Sequence, residues 1–120
     1  MDKKIVTENG VNIAVVRSGE ALICDAQSAL DFMVTISYND DCNCIAIYKE
    51  VLAEEFFTLS NRIAGDVLQK VINYSMKLAI IGDFNVYTSK PLLDFMFECN
   101  NGSRIFFVET EAEALKRLSA

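Results

Sequence analysis

The hydrophobic and polar positions follow a strand period near the N-terminus and a helix period between later apolar runs. Two apolar, β-branched runs flank Asn9-Gly10, a dipeptide that favours the positive φ angles of a tight hairpin turn. Further along the chain, short continuous apolar runs predict strands that are buried on both faces, as parallel strands are. These runs are 44–48, 78–81 and 105–108, the last of which lies in a strand predicted over 104–108.

The segments between these runs carry helix signals. Asp25 is a suitable N-cap for a helix over about 26–38. The segment after Lys49-Glu50 predicts a helical stretch, in one piece or two, of which 62–74 is the better defined because its apolar residues share one face.

Two more helices are predicted closer to the C-terminus. Ser89 with Pro91 just behind it favours a helix start, and Asn101-Gly102 favours its end. Thr110 and Glu113 have the spacing of a capping box, which predicts a final helix to about Leu118.

This order of elements predicts the fold class. A hairpin is followed by helix and strand in alternation, with spacings that suit right-handed crossovers. We therefore expect an α/β fold with a mixed sheet of about five strands, opened by the hairpin, and four helices. A chain of 120 residues suits one domain over residues 1–120.

Composition and charge narrow the classes of partner. Hydrophobic residues make up 52%, so the chain should fold, and 11 basic against 17 acidic residues give a net charge of −6. This charge disfavours nucleic acid or an anionic membrane as the partner. There is no signal-peptide pattern, so we predict a cytoplasmic protein whose four cysteines are reduced thiols.

The chain contains no histidine. This absence excludes imidazole as a general base, as a partner of a serine or cysteine nucleophile, and as a metal ligand. No phosphate-binding loop or paired catalytic motif takes its place, and we expect neither a cofactor nor a metal site.

Three polar side chains follow the predicted parallel strands. Lys49 and Glu50 come directly after the run 44–48, and Asp83 follows the next run. Ligands of open parallel sheets bind outside the carboxyl ends of the strands, which makes these residues candidates for ligand binding. The alternative is that Asp83 belongs to an ordinary turn and that Lys49 and Glu50 lie on a solvated edge.

Two helices are apolar on more than one face. Phe32 and Ile36 form a second stripe on the first helix, and Phe95 and Phe97 belong to a run of large residues on the third. These four residues are candidates for the interface of a homodimer or with a partner protein. The alternative is that neighbouring helices cover them.

Several segments resemble known families. Ile13 to Leu30, with Ser18-Gly19-Glu20 before a helix opened by Asp25-Ala26, resembles the opening of a STAS domain, the anti-sigma-factor-antagonist fold. The later order of a strand ending in Gly82, a helix, a strand and a closing helix also resembles that fold. The whole chain is more similar to a family of small bacterial proteins catalogued as domain of unknown function 4180. The segments that carry this second resemblance are 63–70, 78–84 and 87–90.

The chain lacks the motif in which regulated STAS domains are phosphorylated, an Asp-Ser-Ser-Gly type sequence at a helix start. Ser60 or Thr58 lies in the corresponding region without the flanking Asp or Gly. Ser60 is therefore the candidate phosphoacceptor, with the alternative that Ser60 or Asn61 is a helix N-cap.

These observations predict a small cytoplasmic protein that acts as a non-enzymatic regulatory or protein-interaction module. The alternative is a small-molecule or anion-binding domain, or a modest enzyme, that uses residues at the carboxyl ends of the parallel strands.

Overall fold

The computed structural model describes residues 1–120. Five strands form one mixed sheet in the order β1-β2-β3-β4-β5, and the predicted α/β fold with an N-terminal hairpin and four helices is confirmed. The elements are β1 (Asp2–Glu8), β2 (Val11–Arg17), α1 (Ala26–Asp40), β3 (Cys44–Tyr48), α2 (Ile63–Asn73), β4 (Lys77–Ile81), α3 (Lys90–Asn101), β5 (Ile105–Val108) and α4 (Glu111–Leu118).

The hairpin turn has the geometry that its sequence favours. Asn9 has φ 51° and Gly10 has φ 78°, so both central residues adopt the positive φ of a type I′ turn. The turn sets an antiparallel register in which Glu8 lies opposite Val11 and Asp2 lies opposite Arg17.

The parallel strands β2 to β5 are covered on both faces, which explains their continuous apolar runs. Ile45 and Ile47 of β3 belong to the larger core cluster, together with residues of α1, α2 and α3. Ala46, between them, points to the opposite face and packs in the cluster under α4 with Ala79 and Ala114. All 33 buried residues are apolar, and no buried polar side-chain atom lacks a hydrogen-bond partner.

Side-chain caps fix the starts of α1 and α4. Asp25 accepts a hydrogen bond from the Ser28 backbone N–H at 2.8 Å, and the Ser28 hydroxyl accepts one from the Asp25 N–H. Thr110 accepts one from the Glu113 N–H at 3.2 Å. The first helix extends to Asp40, two residues beyond its predicted end.

The segment between β3 and α2 is less helical than its sequence suggests. It forms three short 3₁₀ turns, over Lys49–Val51, Glu54–Phe57 and Leu59–Asn61, before α2 begins. An αL conformation at Arg62, with φ 67°, separates the last turn from the helix.

The cysteines are all unpaired. Cys42 and Cys44 do not share a face as neighbours two apart in a strand would, because Cys42 precedes β3 and packs in the larger cluster, whereas Cys44 contacts the cluster under α4. The length and apolar content of each helix fall short of what crossing a bilayer requires.

The two edges of the sheet are finished differently. At the β5 edge, the side-chain amide of Asn100 accepts a hydrogen bond from the Phe107 N–H at 2.7 Å and donates one to the Phe107 carbonyl at 3.2 Å. At the β1 edge, the hairpin register turns the backbone groups of Lys3, Ile5 and Thr7 away from β2, and none of them has a partner within the chain.

Candidate functional site

Lys49 is held by aromatic rings just beyond the end of β3. Its ammonium lies 4.6 Å from the centroid of the Tyr87 ring and 5.6 Å from that of Phe57. The two rings are stacked, with centroids 4.8 Å apart. The side chain reaches them by crossing Gly82, where an added Cβ would lie only 2.8 Å from the Cβ of Lys49. Gly82 is therefore required for the path of the lysine side chain.

The same rings contact further side chains at this end of β3 and β4. The Tyr87 hydroxyl donates a hydrogen bond to Glu54 at 3.0 Å. Burial, followed by this contact with Glu54, raises the pKa of Tyr87 well above its ordinary value. Phe57 and Phe107 also contact Phe84. Lys49 thus belongs to an aromatic cluster that stabilises the sheet end through cation–π contact.

Glu50 and Asp83 line different cavities. Glu50 borders a cavity with Arg17 and Ser18, whereas Asp83 borders a shallow polar one with Glu109. Asp83 accepts a hydrogen bond from the Asn85 N–H at 2.9 Å, as in an ordinary Asx turn. No three acidic or cysteine side chains lie close enough together to hold a metal ion.

A polar cluster at the ends of β2 and β3 was not predicted. The Arg17 guanidinium lies 3.9 Å from the centroid of the Tyr48 ring. The Tyr48 hydroxyl donates to Glu111 at 2.8 Å, and the Lys4 ammonium contacts the other oxygen of Glu111 at 2.9 Å. The cluster thereby joins β1, β2 and β3 to the first turn of α4.

The hydrogen bonds of this cluster shift two pKa values in opposite directions. Lys4 and then Tyr48 lower the pKa of Glu111, because both stabilise its carboxylate. Burial, and then the bond to Glu111, raises the pKa of Tyr48. Near neutral pH the cluster therefore contains an ionised Glu111 and a neutral Tyr48 that donates to it.

Two adjoining cavities flank Arg17, and together we call them the strand-end cleft. One, of about 180 Å³, lies beside Tyr48 and Glu111, and the other, of about 280 Å³, lies beside Ser18 and Glu50; both are lined by Arg17 and Asp2. Arg17 makes no ion pair within the chain. Its stacked guanidinium can therefore offer its N–H donors to a bound anion.

A second concave surface, apolar in character, lies between α2 and α3. This α2–α3 groove has a volume of about 220 Å³. Its apolar lining consists of Leu68, Ile72, Phe95, Cys99 and Ile105. Burial raises the pKa of the Cys99 thiol to about 11, which keeps it protonated and unreactive near neutral pH.

The four candidate interface residues occupy three separate places. Phe32 and Ile36 line a wide hollow beside α1, although Ile36 is itself buried in the core. Phe95 lines the α2–α3 groove and contacts Phe107, with ring centroids 6.3 Å apart. Phe97 is 68% exposed and, being two residues further along the helix, lies about 200° around α3 from Phe95.

Ser60 is exposed in the last 3₁₀ turn. The N-cap position of α2 is occupied by Arg62 rather than by Ser60 or Asn61, and the Arg62 side chain makes no capping hydrogen bond. Asn61 precedes it and accepts a hydrogen bond from the Ile63 N–H at 3.0 Å. Ser60 makes no side-chain hydrogen bond, and its phosphorylation stays a prediction.

The comparison with protein families identifies the relationship of this chain. The family model described as domain of unknown function DUF4180 matches residues 8–118. The chain belongs to this family. No curated protein and no solved structure matches this DUF4180 member.

Arg17 and Tyr48 could have been predicted to lie together from their positions at the ends of two strands. Arg17 and Tyr48 are the last residues of two neighbouring parallel strands. Each comes two residues after a residue of the cluster under α4, Val15 or Ala46, so its side chain continues the same face of the sheet. The two-residue period of a strand therefore predicts that both side chains share one face. Glu111 could not be placed beside them without knowing that α4 crosses back over the sheet.

Proposed function

We propose that this DUF4180 protein is a non-enzymatic protein-interaction module with a regulatory role, and that its α2–α3 groove binds an apolar segment of a partner protein. The groove itself is the observation that carries the proposal. Its walls are apolar, it is open to solvent, and Ile72 on its wall is 43% exposed. Burying such a surface against a partner is favourable by the hydrophobic effect.

The charges at the rim indicate the chemistry of the partner. Arg104 already donates a hydrogen bond to the Met76 carbonyl at 3.3 Å. Glu98 is exposed and forms no ion pair within the chain. With a net charge of −6 on the whole chain, the favoured partner segment combines large apolar side chains with a neighbouring lysine or arginine that meets Glu98.

The chemistry available in the chain supports a binding role over catalysis. There is no histidine, and the groove's thiol is held protonated by burial. The resemblance to STAS domains, which act on partner proteins, also favours a regulatory role.

The proposal is tested with peptides selected from a random library on the full chain. We expect selected peptides to carry apolar anchors beside a basic residue. Their binding should be lost in Ile72→Asp and weakened about tenfold in Glu98→Lys. Val34→Asp is the matched control, because Val34 is also a β-branched helix residue and is 42% exposed.

Equal binding to wild type and Ile72→Asp would contradict the proposal, as would a library that yields no binder. Calorimetric titration of the selected peptides measures both outcomes.

A second candidate function rests on Arg17. We infer that the strand-end cleft is a site for a small anion, a carboxylate or phosphate, with Glu50 on its rim. Support comes from a guanidinium that is stacked on Tyr48, forms no ion pair and borders two cavities. The carboxylates of Asp2, Glu50 and Glu111 also line these cavities and oppose the anion, so the binding depends on Arg17 and the neighbouring Lys4. Lys49 and Asp83 contribute no contact to this cleft, since neither lines its cavities.

Titration with inorganic phosphate and with malonate, followed by NMR, tests the second candidate. Shifts should concentrate at Arg17 and Tyr48 and disappear in Arg17→Gln. The exposed Arg62 supplies the control variant Arg62→Gln. Shifts that persist in Arg17→Gln, or none at millimolar anion, would contradict it.

A further inference from the structure

The β1 edge is the longest stretch of strand whose outward N–H and C=O groups have no hydrogen-bond partner within the chain. In a hairpin with a two-residue loop, the residues closing the loop form a hydrogen-bonded pair, and such pairs recur at every second position. Glu8 and Val11 close this loop. The N–H and C=O groups of Lys3, Ile5 and Thr7 therefore point outward, and no other backbone or side-chain group of the chain bonds to them.

This open edge is held in place by ion pairs on both faces of the sheet. The Lys3 ammonium contacts Asp40 of α1 at 2.6 Å, and the Lys4 ammonium contacts Glu111 of α4 at 2.9 Å. A strand fixed in this way loses little conformational freedom when another strand pairs with it, so its unpaired groups are preorganised for association.

We propose that the occupant of this edge is a second copy of the chain, whose β1 strand pairs antiparallel with the first about a two-fold axis through Val6. The five-stranded sheets of the two copies then join into one sheet of ten strands. The association uses a surface separate from the α2–α3 groove and goes beyond the proposed function.

Charge selects this register from its alternatives. With the axis at Val6, Lys4 of each copy lies opposite Glu8 of the other, which gives two pairs of opposite charge. An axis at Ile5 places Asp2 opposite Glu8 twice, and an axis at Lys4 places the two Lys4 residues opposite each other. The Lys4 side chain is 60% exposed despite its contact with Glu111, so it can reach a second carboxylate.

The same register also accounts for an exposed apolar side chain. Ile5 is 44% exposed on the face of the sheet that carries α1. With the axis at Val6, Ile5 lies opposite Thr7 of the other copy and diagonally beside Ile5 of that copy, so pairing covers part of its surface. Val6 lies opposite Val6 on the other face.

Sedimentation equilibrium of the full chain measures the dimer directly. Wild type should associate reversibly with concentration. Ile5→Pro should abolish association, because it removes an outward N–H that no strand pair within the chain uses. Glu8→Lys should weaken association about tenfold, because it places a lysine opposite Lys4 in each of the two cross-strand pairs.

A cross-linking measurement keeps the test decisive if the proline variant does not fold. In this register the two Val6 residues form a non-hydrogen-bonded pair, with Cα atoms about 4.5 Å apart, which is within the roughly 4.4–6.8 Å range of disulfides. In a Cys24→Ser background, Val6→Cys should give a disulfide-linked dimer on mild oxidation. Ile5→Cys should not.

A wild-type chain that stays monomeric at millimolar concentration overturns the proposal, as does an Ile5→Pro variant that folds and still dimerises. Stronger association of Glu8→Lys, or cross-linking of Ile5→Cys in preference to Val6→Cys, overturns the register.

Discussion

Both edge strands of the sheet, β1 and β5, have outward backbone groups that no neighbouring strand of the chain can bond, and they differ in whether these groups find another partner. On β5, one side-chain amide supplies the donor and the acceptor that a neighbouring strand would supply to Phe107. The helix carrying that amide is held in turn by Arg117, which donates to the Asn100 carbonyl. On β1, ion pairs from Lys3 and Lys4 fix the strand to α1 and α4 but leave its outward backbone groups unsatisfied.

The difference shows that rigidity and closure of an edge are separate properties. The Asn100 amide competes with any strand that approaches β5, because it already occupies the positions of the ladder hydrogen bonds. The lysine contacts on β1 use side chains only. The sheet can therefore be extended at β1 and not at the Phe107 position of β5.

The largest effect is expected from removing the side chain that closes the β5 edge. Asn100→Ala deletes both hydrogen bonds and leaves the buried Phe107 amide without a partner, which should lower the free energy of unfolding by about 2–3 kcal/mol. Urea denaturation measures this change.

Asn101→Ala is the matched control, because the neighbouring Asn101 is exposed and makes no side-chain hydrogen bond. The comparison of edges fails if the two variants lose the same stability.

A smaller effect is expected at the turn that presents the open edge. Gly10 has φ 78° and no neighbouring atom within 4 Å of an added Cβ, so Gly10→Ala adds backbone strain without a clash. We expect a loss of about 1 kcal/mol. Thermal or urea unfolding provides the measurement.

Gly19→Ala serves as the control for this turn. Gly19 also has open space around an added Cβ but does not have a positive φ. Equal stability of the two variants would show that the type I′ turn does not fix β1.

The smallest effect concerns the ion pair between β1 and α4, and it depends on pH. The folded-state pKa of Glu111 lies below its ordinary value of 4.5, chiefly because Lys4 and Tyr48 bind its carboxylate. Its stabilisation is therefore fully present above pH 4.5 and is lost as the pH falls through the lower folded-state value.

Glu111→Gln should thus cost less than about 1 kcal/mol at pH 7, since the partner Lys4 is well exposed. The difference from wild type should shrink below pH 4.5, and Glu113→Gln, which removes no ion pair from the same helix turn, is the matched control. A difference that stays constant down to pH 3 would contradict the role of the carboxylate.

Local sequence signals predicted most of the fold. The Asn9-Gly10 turn, the Asp25 cap and the run 44–48 each act through interactions between residues close in sequence, and each was located correctly. The segment 49–61 was less well predicted, because its 3₁₀ turns depend on aromatic packing against distant residues such as Phe84 and Phe107.

The candidate site could be predicted only in part, because its contacts join residues that are far apart in the chain. Lys49 sits at the strand end as expected, but its aromatic partner Tyr87 lies 38 positions later. Asn100 falls within the predicted third helix, just before its end signal Asn101-Gly102, whereas its side chain bonds to β5, seven residues further on. Sequence spacing alone gives no reason to pair Lys49 with Tyr87, or Asn100 with Phe107.

Hydrogen exchange of individual backbone amides tests the difference between the edges most directly. In dilute protein, the Phe107 amide should exchange slowly and the amides of Lys3, Ile5 and Thr7 should exchange rapidly. At high concentration, Ile5 and Thr7 should become protected while Lys3 stays unprotected, because Lys3 faces the turn of the second copy. Rapid exchange at Phe107, or protection of Ile5 and Thr7 that does not depend on concentration, would contradict the account.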